Sequence, residues 1–282
     1  MQPGRLPPIS TRMGRRYSER MVTASEVAED LDAYVLRPRS SAVETLPDAV
    51  LIDTGMPSPL MRYASRIRIE GDAESSIAPV RAWFRSRSLA SFTWKLGEHS
   101  TPTDLEELLR AHGAHEDPAE PEHTAMILEV EPPRVKDVHV TVVESYEDFS
   151  LSAEILAVGF GGSFSPDEKA AMQAALPQRF SEYTEEPTAR RYLASVRGRV
   201  VAVGVALRTT AGVVALGGGA TLPDSRGVGA YRALVRARWE DAVSAGVPAL
   251  VTQASGLSRP ILERLGFHAV CRVAELIDTT NP

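Results

Sequence analysis

The chain has 282 residues, of which 43% are hydrophobic and 24% are charged, a balance typical of a globular protein with a buried core. Its net charge of −6 argues against a nucleic-acid-binding protein, which usually presents a basic surface, and slightly favours a cationic over an anionic substrate. No apolar run reaches the roughly 20 residues of a membrane-spanning helix, and the single cysteine, Cys271, excludes an internal disulfide, so we expect a cytoplasmic protein without membrane contact.

The first half of the chain predicts alternating helices and strands after a flexible leader. The leader, residues 1–19, is rich in proline and arginine, and a Pro132-Pro133 pair predicts a linker at the end of this half. Ser25 is the expected N-cap of the first helix. The predicted helices are 25–34, 75–88 and 102–112, and the predicted strands are 49–54, 63–69, 91–96 and 124–130.

The second half predicts a longer series of strands. Gly198 marks a hairpin turn, and Ser165, followed by Pro166 and Glu168, predicts a capped helix start. The glycines at 217–219 predict a β-bulge, because they weaken regular strand pairing. The predicted strands are 138–143, 191–196, 199–208, 213–222, 248–253 and 268–278, and the other predicted helices are 147–158, 227–245 and 258–265.

The two halves end in the same way. Residues 108–114 and 261–267 are each a helix end that runs into a glycine, and each follows helix, strand and loop in the same order. This similarity, with a period of about 150 residues, predicts an ancient duplication. We expect residues 20–133 and 134–282 to form two copies of one domain. The first copy has no glycine turn before its helix at 75–88, whereas the second copy has one before the helix 227–245, so only the second is expected to retain a ligand site.

That glycine turn, residues 226–231, joins a predicted strand to the predicted long helix. Such a turn leaves free backbone N–H groups at the positive end of a helix, where phosphate groups bind. A P-loop would also need a lysine and a serine or threonine, which this turn lacks. A dinucleotide fold would need an acidic residue about 20 positions on, beyond the helix. Glu240 and Asp241 still lie within the predicted helix, so neither motif fits.

The second half resembles the GNAT superfamily of acyl-CoA-dependent N-acyltransferases. The resemblance rests on Pro223 after a strand, on Arg226-Gly227-Val228-Gly229-Ala230, and on the helix and Leu-Gly-Phe of residues 260–267. It covers residues 138–278. It implies an α/β fold of two tandem GNAT-like units, each a mixed, mostly antiparallel sheet flanked by helices. The first unit would be degenerate, and the second would bind acetyl-CoA as its co-substrate.

The resemblance also implies a cofactor site that is physically reasonable. The pyrophosphate of coenzyme A suits the amides that start the helix, and the amides of the pantetheine arm can pair with an open strand edge. Backbone amides around 220–222 are the expected donors to the thioester carbonyl. Tyr231 stands where glycine or alanine is commoner, and core packing is favoured for its ring. The cofactor-binding residues implied are Ala220, Thr221, Leu222, Arg226, Gly227, Val228, Gly229, Ala230, Tyr231, Ser255 and Pro260.

The sequence departs from the family where a general acid and base would lie. Leu262 occupies the position of the family's tyrosine acid, and the strand 213–222 contains no acidic residue. Carboxylates placed before Arg190 or in the glycine turn could act through water, although a solvated surface role is favoured for each. These are Glu182, Glu185, Glu186 and Asp224. We therefore assign no catalytic residue, and the histidine spacing predicts no metal site.

The function predicted is direct transfer of an acyl group from acetyl-CoA to an amine of a small molecule. Two alternatives stay open: a protein-modifying acetyltransferase and a non-enzymatic acyl-CoA-binding module. No nucleic acid and no membrane is expected as a partner. The sequence leaves homodimerisation open.

Overall fold

A computed structural model describes residues 22–56, 58–118, 122–159 and 165–280, so the predicted leader at 1–19 lies outside the described residues. Within those ranges nine α-helices and eleven strands form. In chain order they are α1 (Ala24–Glu29), α2 (Leu31–Tyr34), β1 (Ala42–Thr45), β2 (Val50–Asp53), β3 (Arg62–Ser65), α3 (Ala73–Ser86), β4 (Ser91–Leu96), α4 (Leu105–Ala111), β5 (Glu122–Leu128), β6 (His139–Val142), α5 (Tyr146–Gly159), α6 (Pro166–Ala174), α7 (Leu176–Glu185), β7 (Ala189–Val196), β8 (Arg199–Arg208), β9 (Val214–Thr221), α8 (Ala230–Ser244), β10 (Leu250–Ala254), α9 (Arg259–Glu263) and β11 (His268–Thr279).

Most predicted elements are confirmed, and β4 has the predicted bounds. Two elements, β1 and α7, were not predicted. The predicted cap Ser25 is wrong, because Thr23 caps α1: its Oγ1 accepts a hydrogen bond from Glu26 N at 3.2 Å, and the Glu26 carboxylate accepts one from Thr23 N at 2.8 Å. The predicted cap at Ser165 is confirmed, since the same reciprocal pair of bonds forms with Glu168.

The strands form one sheet in the order β1-β2-β3-β4-β11-β5-β10-β9-β8-β7-β6. Neighbouring strands are antiparallel except for two parallel pairs, β3–β4 and β9–β10. Each half contains one series: helices, three antiparallel strands, a helix, a strand, a helix and a final strand. In the second half the strand β6 precedes this series. The fold is therefore a mixed α/β fold made of two similar units in tandem, as the resemblance implied.

Helices cover both faces of this sheet. Tyr192 packs in the cluster of α8 and α9, whereas the next residue, Leu193, packs against α5. Met126 likewise packs on the side of α8, and Ile127 packs against α1. Because successive strand residues point to opposite faces, α1 and α5 share one face and α8 and α9 share the other. We refer to these as the α5 face and the α8 face.

The final strands of the two halves are exchanged. β11 lies between β4 and β5 of the first half, and β5 lies between β11 and β10 of the second half. β11 pairs with β4 from Ala274 opposite Leu96 to Thr279 opposite Ser91. The expected domains 20–133 and 134–282 therefore share one sheet, and neither completes its strand order from its own residues.

A buried carboxylate fastens this exchange. Asp278 of β11 is 1% exposed and accepts hydrogen bonds from Trp94 Nε1 of β4 at 2.8 Å and from Arg81 of α3 at 3.0 Å. The last strand of the second half is thus held by polar contacts as well as by pairing.

Candidate functional site

An opening in the sheet separates β9 from β10. The two strands pair only at Val214 opposite Leu250 and at Ala215 opposite Val251. Beyond this point the predicted bulge is confirmed: Gly204 of β8 faces Gly219, and the next residue of β8 faces Gly217, so that Gly218 is the extra residue. A bulge bends its strand, and this one lies where β9 leaves β10.

The backbone of β9 presents free groups along the opening. Leu222 N donates to Val201 O of β8 at 2.9 Å, so Leu222 and Val201 are a hydrogen-bonded pair of this antiparallel ladder. Hydrogen-bonded and non-bonded pairs alternate in an antiparallel ladder, so Ala220 bonds towards β8 while Gly219 and Thr221 face the opening. Of the residues 220–222, whose amides were expected to contact a thioester, only Thr221 directs its backbone groups into the opening. Gly219, which was not among them, does so as well.

The first turn of α8 lies beyond the end of β9. Gly227 and Gly229 have φ of +83° and +87°, a conformation that favours glycine. Gly229 is the N-cap and supplies no side-chain hydrogen bond to the free amides of the helix. Arg226 is exposed, and its side chain forms no hydrogen bond or ion pair with any residue in the described ranges. The first amides of α8 are therefore free to bind an anion, and the guanidinium of Arg226 lies beside them without a partner in the described ranges.

The equivalent place in the first half is closed. There α3 is capped by its own Asp72, whose carboxylate accepts a hydrogen bond from Ser75 N at 3.0 Å. Beyond the parallel pairing of β3 with β4, the chain inserts Thr101, which donates to Ile67 O and accepts from Ile69 N, each at 3.3 Å. In the first half, the backbone of Thr101 thus occupies the edge of the chain after β3. The corresponding edge of β9 in the second half is free.

Two large side chains of α8 lie beneath the bulge. Tyr231 packs against the core cluster, and a Cβ added to Gly219 would lie 3.0 Å from its ring, so the expected core packing is confirmed. Arg238 is fully buried and donates from Nε to Leu234 O at 3.0 Å and from Nη1 to Val205 O at 3.2 Å. Burial lowers the pKa of Arg238. Sequence reasoning missed it, although an arginine on an apolar helical stripe was a usable signal.

The other side of the opening is formed by the residues after β10. Ser255 and Ser258 lie with their hydroxyl oxygens 3.4 Å apart, and Pro260 is exposed in the first turn of α9. Leu262 is 1% exposed and packs into the core on the α8 face. Leu262, which stands where the resemblance implies a tyrosine acid, therefore points into the core. The hydroxyl groups at this end of β10 are those of Ser255 and Ser258.

The four carboxylates considered as bases are engaged elsewhere. Glu182 and Glu185 lie on α7 and not in a loop, and Arg39 forms ion pairs with Glu185 at 2.8 Å and Glu186 at 3.3 Å. Hydrogen bonds from Ser181 and Arg39 lower the pKa of Glu185. Asp224 pairs with Arg199 at 2.9 Å, and this contact lowers the pKa of Asp224. A lowered pKa makes a carboxylate a weaker base, so these contacts disfavour Glu185 and Asp224 in that role.

The described ranges show neither a metal-binding cluster nor a membrane-spanning helix. They contain no group of three or more histidine, cysteine, aspartate or glutamate side chains that could hold a metal ion. They also contain no helix that is long and apolar enough to cross a membrane.

Solved structures of GNAT proteins, one of them a tandem GNAT protein, share this fold and match almost the whole chain. A GCN5-related N-acetyltransferase from Kribbella flavida is 17% identical with a TM-score of 0.65, over 92% of this chain and 96% of that one.

Two further structures extend the similarity. A functionally unknown conserved protein from Staphylococcus epidermidis ATCC 12228 is 14% identical with a TM-score of 0.63, over 89% of this chain and 97% of that one. A tandem GNAT protein from the clavulanic acid biosynthesis pathway is 13% identical with a TM-score of 0.59, over 92% and 88%. No protein-family model and no curated protein matches the sequence. The likeness at these identities is one of fold.

Proposed function

We propose that the protein is an N-acetyltransferase that transfers an acyl group from acetyl-CoA directly to the amine of a small molecule. The observation that carries this proposal is the coincidence of two features. The free edge of β9 runs along the opening, and the uncapped start of α8 lies at its end. Together they offer amide partners to an extended arm and to an anion.

The cofactor would lie across both features. Its pyrophosphate would accept hydrogen bonds from the amides of residues 227–231, with Arg226 free to pair with a phosphate oxygen. The pantetheine amides would pair with the edge groups of Gly219 and Thr221. Ser255 and Pro260 would line the opposite side, after β10. Ala220 and Leu222 would support this edge through their bonds to β8.

The proposed reaction depends mainly on backbone groups and not on side chains. The amine lone pair attacks the thioester carbonyl, and the developing oxyanion accepts a hydrogen bond from an amide on the free edge of β9. The bond from carbon to sulfur then breaks, and the proton that the amine nitrogen loses passes to the departing sulfur, directly or through water. A thiol with a pKa of about 8.5 is a good enough leaving group to need no strong acid. Holding the two reactants together supplies most of the rate. This is consistent with a site that has no obvious general acid or base.

The surroundings of the opening favour a small acceptor. On the α5 face, α1 of the first half is tied to β10, since Gln253 Nε2 donates to Glu29 O at 2.7 Å. On the other side α5 approaches β9 so closely that a Cβ added to Gly159 would lie 2.2 Å from Ala220 Cβ. An acceptor must enter between these two helices. A bulky protein segment is therefore less favoured than a small molecule.

A non-enzymatic acyl-CoA-binding module is the second candidate, because Leu262 is buried and the four carboxylates are engaged elsewhere. Two measurements separate the candidates. Calorimetric titration with acetyl-CoA tests binding, and release of free thiol across a panel of amines tests transfer. Binding with turnover on at least one amine is expected. Binding without turnover on any amine supports the module, and no binding contradicts both.

A further inference from the structure

Two arginines on the α5 face lack a carboxylate partner. Arg191 of β7 donates from Nη1 to Ser152 Oγ at 2.8 Å, and its guanidinium carbon lies 4.1 Å from the centre of the Phe149 ring. Arg179 of α7 donates from Nη1 to the thioether sulfur of Met56, which is a weak acceptor. Neither forms an ion pair within the described ranges. Both guanidinium groups are thus held mainly by uncharged partners.

The two charges act on one another. Burial, and then the like charge of Arg179, lower the pKa of Arg191 to about 10, so its guanidinium is still charged at neutral pH. Glu182 acts on Arg179, but its two oxygens already accept hydrogen bonds from Ser40 Oγ at 2.5 Å and Gln178 Nε2 at 3.1 Å. The hydrogen-bonded carboxylate of Glu182 acts on Arg179 but not on Arg191, and two partly buried like charges are costly to hold.

The free N–H groups of both arginines remain reachable. The buried side-chain nitrogens without a partner in the described part of the chain belong to other residues. Both residues are partly exposed, so their unpaired N–H groups are not sealed within the core. An anion that reached these groups would gain two guanidinium partners.

The arginine pair lies on the α5 face of the sheet, two strands from the bulge. Arg191 is directly opposite Val205 in β8, and Val205 is opposite Gly217 at the bulge. Opposed residues share a face, and neighbouring strands are about 4.8 Å apart, so the backbone of Arg191 is about 10 Å from the bulge. The anion site at the start of α8 belongs to the cofactor. The arginine pair is separate from it.

We propose that the acceptor is an amine that also carries a carboxylate, an amino acid or a close analogue, and that Arg179 and Arg191 bind this carboxylate. The proposal rests on the acetyltransferase function above. Guanidinium groups match carboxylates in geometry and in charge. Because α1 and α5 flank the entry on the α5 face, a free amino acid is favoured as acceptor over the end of a protein chain. The net charge of −6 did not predict a carboxylate-bearing acceptor, because the local charge of the two guanidinium groups is positive.

The test compares matched ligand pairs. Free amino acids and their decarboxylated amines, such as lysine with cadaverine and ornithine with putrescine, are titrated into the full-length protein saturated with coenzyme A. Ligand-observed NMR reports the binding of each. At least one amino acid is expected to bind and its decarboxylated partner to bind about 30-fold more weakly or not at all.

Variants then locate the carboxylate. Arg191→Gln and Arg179→Gln are each expected to weaken amino-acid binding about 30-fold, and Arg191→Lys less, while coenzyme A affinity stays unchanged. Arg110→Gln removes an exposed arginine of α4 and serves as the charge control. If circular dichroism shows that Arg191→Gln is unfolded, Arg179→Gln and Arg191→Lys provide the same comparison.

The proposal is overturned if no amino acid binds, if the decarboxylated amines bind equally well, or if the variants weaken both members of a pair alike. Failure of the acetyltransferase function has a different signature. It is seen as absence of acetyl-CoA binding or of thiol release, whether or not an amino acid binds. The two failures are therefore distinguishable.

Discussion

Replacing Asp278 by alanine would remove the carboxylate that ties β11 to the first half of the sheet. Two nitrogens of Arg81 and the indole nitrogen of Trp94 would lose their acceptor, at sites where Asp278 is 1% and Arg81 17% exposed. Breaking a buried ion pair costs about 3–5 kcal/mol. We expect the free energy of unfolding to fall by about 4 kcal/mol and the melting temperature by about 10 °C.

The measurement is equilibrium denaturation in urea, followed by tryptophan fluorescence and circular dichroism. Asp224→Ala is the matched control, because Asp224 pairs with Arg199 at 2.9 Å while both side chains are 60% exposed. No measurable change in its midpoint is expected. A double-mutant cycle with Arg81→Ala isolates the pair itself. Equal losses for Asp278→Ala and Asp224→Ala would refute the reasoning, since burial would then not set the strength of the contact.

Two other predictions concern the glycine turn and pH. Gly229→Ala would add a Cβ 2.9 Å from Val135 Cγ1 at a φ of +87°, and we expect acetyl-CoA to bind about tenfold more weakly by calorimetry. Gly246→Ala, at the other end of α8 with a φ of +83° and open space, is the strain control, and an equal loss of affinity there would contradict the site. Burial raises the pKa of Asp30 from 3.8 to about 6, so its contribution to stability is present below pH 3.8 and is lost as pH rises through 6. Asp30→Asn should remove up to about 3 kcal/mol of this decline in urea titrations between pH 4 and 7, and an unchanged pH profile would count against it.

Features set by local sequence were predicted well. The bulge at Gly218, the turn at Gly227 and Gly229, and the cap at Ser165 each depend on residues within a few positions. The helix α7 was missed because Pro177 suggests a break, although proline is tolerated in a first helical turn. Such errors arise where one local signal permits two structures.

The exchange of final strands could not be predicted from the sequence. The alternation in β5 and β11 fixes which face each residue occupies but not which strand lies beside it. The arginine pair was hidden for a related reason. Arg190 and Arg191 are adjacent in sequence, yet Arg190 pairs with Asp241 of α8 while Arg191 lies on the α5 face. Only the folded sheet separates the two environments.

The position of β11 has a consequence for synthesis of the chain. Ser91 pairs with Thr279, 188 residues later. At a translation rate of about 5–20 residues per second, β4 and β5 wait roughly 10 to 40 s for the strand that lies between them. During that interval the nascent first half exposes unpaired strand edges and the apolar surface that Leu276 later covers. Chaperone binding during elongation would therefore be expected at the first half, and the emergence of β11 from the ribosome would end it.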